Sequence, residues 1–234
     1  MRIGRIGRIG ETQPQALSAL KSAYEAFAHV VASLGEEESW LPTGCVGWAV
    51  RDLVFHCLGD AQRGLVALHT SADGPADRDA ITYWATWQPG TARAASEQRH
   101  ARVAASMFPE FEQLRELYLA TTAAVVTAAE RGDVQQLIST QGHVLAADDL
   151  MATLAVEATI HHLDLVAHLP ATARRPGAAG LACVRGTIDG LLGRPAPENW
   201  SDEHYALVAT GRLQLTAAER HRFGADADRF PLFG

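Results

Sequence analysis

The stretch from residue 155 to residue 170, AVEATIHHLDLVAHLP, decides the fold and points to a functional site. Its apolar residues predict a buried helix, and at intervals of three and four they are interrupted by ionisable residues: Glu157, His161, Asp164 and His168. At about 100° per residue, these four side chains fall on one stripe about 60° wide. A carboxylate buried beside imidazoles needs a compensating partner, so the stripe suggests a metal ion.

A second polar stripe, centred on His56, lies on a helix predicted over residues 48–69. One histidine from this helix and the pair Glu157 and His161 supply three nitrogen and oxygen ligands. Three protein ligands leave one metal position open, as in catalytic zinc sites. The neighbouring His162 lies about 140° from Glu157, so it cannot replace His161 in this set.

Each of the two stripes is weak evidence for a metal site when taken by itself. A single histidine on a bundle helix is commonly a hydrogen-bonded core residue, and Glu and His four apart are frequent on helices. Together they indicate a divalent metal, and these ligand types suit other ions besides zinc. Three further residues are predicted to hydrogen-bond the ligands from behind, with helix capping as the alternative for the last: Asp60, Asp164 and His168.

Composition and charge exclude several function classes. The chain has 234 residues and a net charge of −7, without a basic stripe, so neither nucleic acid nor an anionic membrane is an expected partner. No apolar segment is long enough to span a bilayer, and we expect a cytoplasmic monomer or homodimer. The odd, widely spaced cysteines are expected to be reduced and packed as small apolar residues, with a catalytic thiol as the less favoured alternative: Cys45, Cys57 and Cys183.

Helical periodicity predicts an all-α, up-and-down four-helix bundle over residues 13–170. Residues 1–12, which contain an Arg-Ile-Gly repeat, are expected to form a flexible leader, and residues 171–234 a short, mostly helical extension packed on the bundle. The predicted long helices are 13–34, 48–69, 91–131, which Pro109 kinks or splits, and one that starts at Ala147, Asp148 or Asp149 after a connector over 132–149; a fifth covers 181–192.

Two segments carry a family resemblance. GWAVRDLVFHCLGDAQRGLVAL (47–68) and LMATLAVEATIHHLDL (150–165) resemble the signatures of the mycothiol-dependent maleylpyruvate isomerase family, N-terminal metal-binding domain, within the DinB-like superfamily. The segments NWSDEHYALVATGR and ADADRFPL are similar to its usual ending. The resemblance implies a DinB-like bundle and a divalent metal, most often Zn²⁺, held by His56, Glu157 and His161. It also implies mycothiol or a related thiol as cosubstrate.

The same resemblance leaves the reaction open between transfer and isomerisation. A metal-bound thiolate that attacks a small electrophile gives S-transfer, whereas reversible addition to a cis double bond gives isomerisation of the maleylpyruvate type. We expect a thiol S-transferase, because the superfamily resembles many transferases and the isomerase is one specialised case. The residues after 170 look too short and too helical for the mixed α/β C-terminal domain of the isomerases, which argues against the isomerase activity. A metal-dependent hydrolase and a binding module without turnover are the alternatives.

Candidate substrate and thiol contacts complete these expectations. The aromatic run after the second helix is expected to line a pocket, with a core role as the alternative. Arg63 is a candidate for binding a carboxylate, with a salt bridge as the alternative, and Arg212 is expected to fold over the bundle mouth unless it only ends a helix. The aromatic residues are Tyr83, Trp84 and Trp87.

Overall fold

The computed structural model describes residues 13–87, 90–195 and 200–234, so the leader predicted for residues 1–12 lies outside the described residues. In chain order the described elements are α1 (Gln13–Ser33), α2 (Glu36–Ser39), α3 (Val50–Leu68), a 3₁₀ turn (Thr82–Thr86), α4 (Ala92–Ala105), α5 (Phe111–Arg131), β1 (Leu137–Thr140), β2 (His143–Ala146), α6 (Ala147–Val166), α7 (Ala178–Leu192), α8 (Asp202–Ala209), α9 (Ala217–Phe223) and a second 3₁₀ turn (Gly224–Arg229).

Four long helices form the bundle that the periodicity predicts. α1 packs against α5 and α6, and α3 packs against the same two helices from the other side. α4 lies on the outside of α3. The prediction of an all-α bundle is confirmed, and the long pattern before residue 131 is split between α4 and α5, because Pro109 lacks an N–H donor and restricts the residue before it.

An antiparallel hairpin stands between α5 and α6, where the pattern predicts an irregular connector. β1 and β2 pair along their whole length, and the turn residues Gln141 and Gly142 have positive φ values of 48° and 80°. Ile138 and Leu145, which pair across the two strands, are fully buried. Each strand is only four residues long, too short for alternation to be distinguished from a loop.

The C-terminal helices cover α6 on the side away from α3. Ile160 and Leu163 of α6 share an apolar cluster with Val184, Ile188 and Tyr205 of α7 and α8. α6 is thereby enclosed by α1, α3, α7 and α8, which explains why its sequence is apolar on nearly every face. α7 begins at Ala178, three residues before the predicted start. Among the described residues, no helix combines the length and apolarity needed to cross a membrane.

Candidate metal centre

α3 and α6 bring the three predicted ligands together. Glu157 Oε1 lies 3.1 Å from Nε2 of His56 and 3.3 Å from Nε2 of His161. All three donor atoms lie within 4.8 Å of one another. The ring of Trp48, just before α3, packs at centroid distances of 5.1 Å from His56 and 6.4 Å from His161, which restricts both imidazoles.

This donor set fits a divalent cation. Ligands bound at 2.0–2.1 Å in tetrahedral geometry lie about 3.4 Å from each other, close to the two separations found here. The carboxylate between the two imidazoles supplies negative charge, and both histidines present Nε2, a common ligand atom. The residues His56, Glu157 and His161 are therefore suited to hold a metal such as Zn²⁺.

The charges of the triad are strongly coupled. Burial alone would raise the pKa of Glu157, but the charge and hydrogen bond of His161, joined by the hydrogen bond of His56, hold that pKa well below its usual value. Burial would lower the pKa of His161, yet the Glu157 charge and the Asp164 hydrogen bond hold it well above its usual value. For His56, burial prevails and the pKa is lowered. The metal-free site therefore contains an anionic carboxylate beside one protonated and one neutral imidazole at neutral pH.

Metal binding is expected to release about one proton from this site near neutral pH. His161 must lose its proton before Nε2 can bind a cation, whereas Glu157 is already ionised. Metal affinity should therefore rise about tenfold per pH unit until the pH exceeds the raised pKa of His161, and fall as the pH is lowered. Zinc titration calorimetry in two buffers with different ionisation enthalpies counts the protons. Release of no proton at pH 7 would contradict this charge arrangement.

A carboxylate supports His161 from behind. Asp164 Oδ2 lies 2.9 Å from Nδ1 of His161, the nitrogen that does not face Glu157. The guanidinium of Arg212, in the C-terminal segment after α8, binds both oxygens of Asp164, with Nε to Oδ1 at 2.7 Å and Nη2 to Oδ2 at 2.6 Å. Hydrogen bonding of a ligand histidine to a carboxylate fixes its tautomer and ring orientation. Asp164 therefore lies behind His161, and its role in supporting a metal ligand stays a prediction.

Cys45 is the residue at this site that the sequence did not reveal. Its Sγ lies 3.2 Å from Asp164 Oδ2 and 3.8 Å from His161 Nδ1, and the backbone N–H of Gly44 donates to the carbonyl of Asp164 at 2.9 Å. Burial raises the pKa of the Cys45 thiol. Although Cys45, His161 and Asp164 also form a compact donor group, Arg212 already supplies the cation that compensates Asp164. The triad with Glu157 is therefore the better metal site.

Of the remaining polar residues considered for this site, one lies close to the triad and the others do not. Asp60 is buried, with Oδ2 3.5 Å from His56 Nε2, and it forms an ion pair with Arg63. It therefore approaches the donor nitrogen itself and not the opposite side of the ring. His168 is exposed beyond the last residue of α6, so the structure does not bring it to the triad. His162 is fully buried and bonds the carbonyl of Arg174 at 2.8 Å, in agreement with its exclusion as a ligand.

Two cavities meet at the triad, and both are lined by His56, Glu157, Trp84 and Trp87. The hairpin-side cavity, about 560 Å³, extends between α3 and the β1–β2 turn and includes Arg63 and Tyr83. The tail-side cavity, about 750 Å³, extends toward the C-terminal segment and includes Cys45, Ile160, His161, Arg212 and Phe233. All three predicted aromatic residues thus line a cavity. Trp84 also packs on Phe233 in the core, so this residue has both the pocket-lining role and the core role that were the alternatives.

Comparison with known proteins identifies the family. The family model described as the mycothiol maleylpyruvate isomerase N-terminal domain matches residues 20–166, which include the whole triad. The chain belongs to this family. Membership confirms the resemblance read from the two helical signatures, and no curated protein matches the chain.

Solved structures of the family show the same fold. A crystal structure of a mycothiol-dependent maleylpyruvate isomerase is similar with a TM-score of 0.54 and 16% identity, covering 75% of this chain and 69% of that one. A histidine-to-alanine variant of such an isomerase gives a TM-score of 0.53 and 15% identity, covering 77% and 69%. At these identities the likeness supports the bundle architecture alone.

Proposed function

We propose that this protein is a metal-dependent thiol S-transferase that activates mycothiol, or a related low-molecular-weight thiol, for attack on a small electrophile. The observation that carries the proposal is the triad itself: two imidazole nitrogens and one carboxylate oxygen, within 4.8 Å of one another, at the junction of two cavities. Family membership supports mycothiol as the thiol, because the family is named for it.

Three protein ligands suit this reaction because they leave room for an external one. A divalent metal ion bound there favours the thiolate, the nucleophilic form of the thiol, near neutral pH. His56, Glu157 and His161 would hold the ion, and Asp164 keeps the His161 ring in position. Because two cavities open at the same point, the thiol and the electrophile can approach from different sides.

The residues that line the two cavities would have different roles in the proposed reaction. Trp84 and Trp87 form an apolar surface common to both cavities, which favours exclusion of water around a reacting sulfur. Arg63 lines the hairpin-side cavity and pairs with Asp60, as its salt-bridge alternative predicts, so a carboxylate of the thiol or substrate would share this guanidinium with Asp60. Arg212 lines the tail-side cavity, but its guanidinium donates two hydrogen bonds to the carboxylate of Asp164, which favours a supporting role over substrate binding.

Isomerisation of the maleylpyruvate type is the second candidate, supported by the family. Transfer is preferred because the described residues after position 170 form helices and 3₁₀ turns, without the strands of a mixed α/β domain. A metal-dependent hydrolase would use the same triad with water in place of the thiol.

Mycothiol should bind the metal-loaded protein and not the metal-free protein. The test combines calorimetry of mycothiol binding with a thiol-consumption assay against a panel of electrophiles that includes maleylpyruvate. Consumption of thiol with an S-conjugate as product supports transfer, and isomerised product with unchanged thiol concentration supports the second candidate. Equal mycothiol affinity with and without metal would overturn both thiol-based functions.

A further inference from the structure

The hairpin-side cavity is continuous with a second, smaller space. A neighbouring groove of about 360 Å³ shares five of its lining residues and continues between α3 and the turn of the hairpin. Cavity and groove together make a channel from the triad to the surface. The shared residues are Gly59, Gln62, Arg63, Thr140 and Gln141.

Gly59 is unexplained by the packing of the protein. It lies inside α3, where glycine costs stability relative to alanine, yet a Cβ at this position would meet no heavy atom within 4 Å. Gly64 on the same helix differs, because its Cβ would lie 2.7 Å from the Leu154 side chain. Neighbouring side chains thus account for Gly64, whereas no neighbouring atom accounts for Gly59, which lines both the cavity and the groove.

Gln141 is the second unusual residue of the channel. Its φ of 48° is the positive value that a non-glycine residue rarely adopts, although asparagine and glycine do so readily at this position of a two-residue turn. Its side-chain oxygen accepts a hydrogen bond from Tyr83 Oη at 2.5 Å, so its amide group is held at the channel. A longer amide is thus present where a shorter one would suit the backbone better, which is a reason to look for a ligand contact.

We infer that this channel holds the polyhydroxylated body of the thiol cosubstrate, with Gly59 leaving the space and Gln62 and Gln141 hydrogen-bonding its hydroxyl groups. Mycothiol carries its cysteinyl thiol on such a body, a sugar joined to an inositol. The inference rests on the proposed function, since it places the thiol group at the triad. The tail-side cavity, with Trp84, Ile160 and Phe233 in its wall, is then left for the electrophile.

Gly59→Ala tests the space. Alanine should raise the midpoint of thermal unfolding by about 2 °C, because helix propensity improves, while the added methyl weakens mycothiol binding about tenfold. Gly186→Ala is the matched control: it also lies inside a helix, α7, with nothing within 4 Å of its Cβ, and it lines neither cavity nor the groove. It should stabilise the fold similarly and leave binding unchanged.

Binding is measured on Co²⁺-loaded protein from the thiolate-to-metal absorption, titrated with mycothiol and with N-acetylcysteine, which has the thiol without the sugar and inositol. Gly59→Ala should weaken only mycothiol. Gln141→Asn should also weaken only mycothiol, about fivefold, while keeping or raising thermal stability, and Gln135→Asn on the exposed turn before β1 should change neither thiol.

The outcomes separate this inference from the proposed function. If the wild-type protein shows no thiolate absorption with either thiol, the proposed function and the channel assignment both fail. If wild-type protein binds mycothiol at the metal but Gly59→Ala and Gln141→Asn bind it equally well, the channel assignment alone is wrong. Equal weakening of N-acetylcysteine would also overturn it, because the residues would then act on the triad and not on the sugar.

Discussion

Replacing Glu157 with glutamine is expected to leave the bundle folded and to abolish the divalent-metal binding and the thiol chemistry that we propose for this protein. The change keeps the shape of the side chain and removes the negative charge that lies 3.1 Å and 3.3 Å from the two histidine nitrogens. Loss of a group that only supports a ligand typically lowers metal affinity 10- to 100-fold, so loss of a ligand should exceed about a hundredfold. His56→Ala and His161→Ala should have effects of the same size.

Elemental analysis of the purified variants and a competitive chelator titration measure this effect, together with thiol consumption. Two exposed residues on other helices give matched controls: Glu116→Gln on α5 and His29→Ala on α1 should retain full metal occupancy. Circular dichroism separates metal loss from unfolding. Full metal occupancy in all three triad variants would show that the ion is bound elsewhere.

The sequence could place the triad side chains near one another because bundle helices keep a regular period. Angles put His56, Glu157 and His161 on two polar stripes and excluded His162, and the family resemblance selected these three from the other residues of the stripes; their role as metal ligands stays a prediction. The position of His168 could not be predicted from its angle. The angle fits the stripe, but α6 ends at Val166, so the helical period no longer applies. Angles are informative only inside the helix that defines them.

Contacts made by loops could not be derived in this way. Cys45 reaches Asp164 and His161 from a loop more than a hundred positions earlier in the chain, and no local pattern distinguishes it from the other cysteines. The partner of Arg212 was equally hidden, because its 48-residue separation from Asp164 crosses two further helices. Loop placement depends on tertiary packing, which one sequence does not display.

Substitutions at the two members of the buried ion pair, Arg212 and Asp164, should affect fold stability and metal affinity to different extents. Arg212→Leu leaves a carboxylate whose side chain is only 2% exposed without its guanidinium partner, and we expect unfolding free energy to fall by about 3–5 kcal/mol. Asp164→Asn instead removes the carboxylate bonded to His161, so metal affinity should fall about 10- to 100-fold. Its cost in stability should be smaller, because Arg212 is 17% exposed and water can solvate it.

Chemical denaturation of metal-free protein and metal titration of folded protein measure the two quantities. The double variant Asp164→Asn with Arg212→Leu should be less destabilised than the sum of the single variants, because neither charge is left buried alone. Asp226→Asn is the control, since its pair with Arg194 is at the surface and should contribute less than about 1 kcal/mol.

The stability of the protein at low pH independently tests the ion pair between Arg212 and Asp164. The charge of Arg212 and the His161 hydrogen bond overcome burial and lower the pKa of Asp164 below its usual value. A lowered pKa stabilises the folded state at neutral pH, and this contribution is lost as the pH falls below about 4, where the unfolded carboxyl takes up its proton. The difference in stability between wild type and Arg212→Leu should therefore shrink in acid. A constant difference from pH 7 to pH 3 would mean that the loss comes from packing around residue 212 and not from the ion pair.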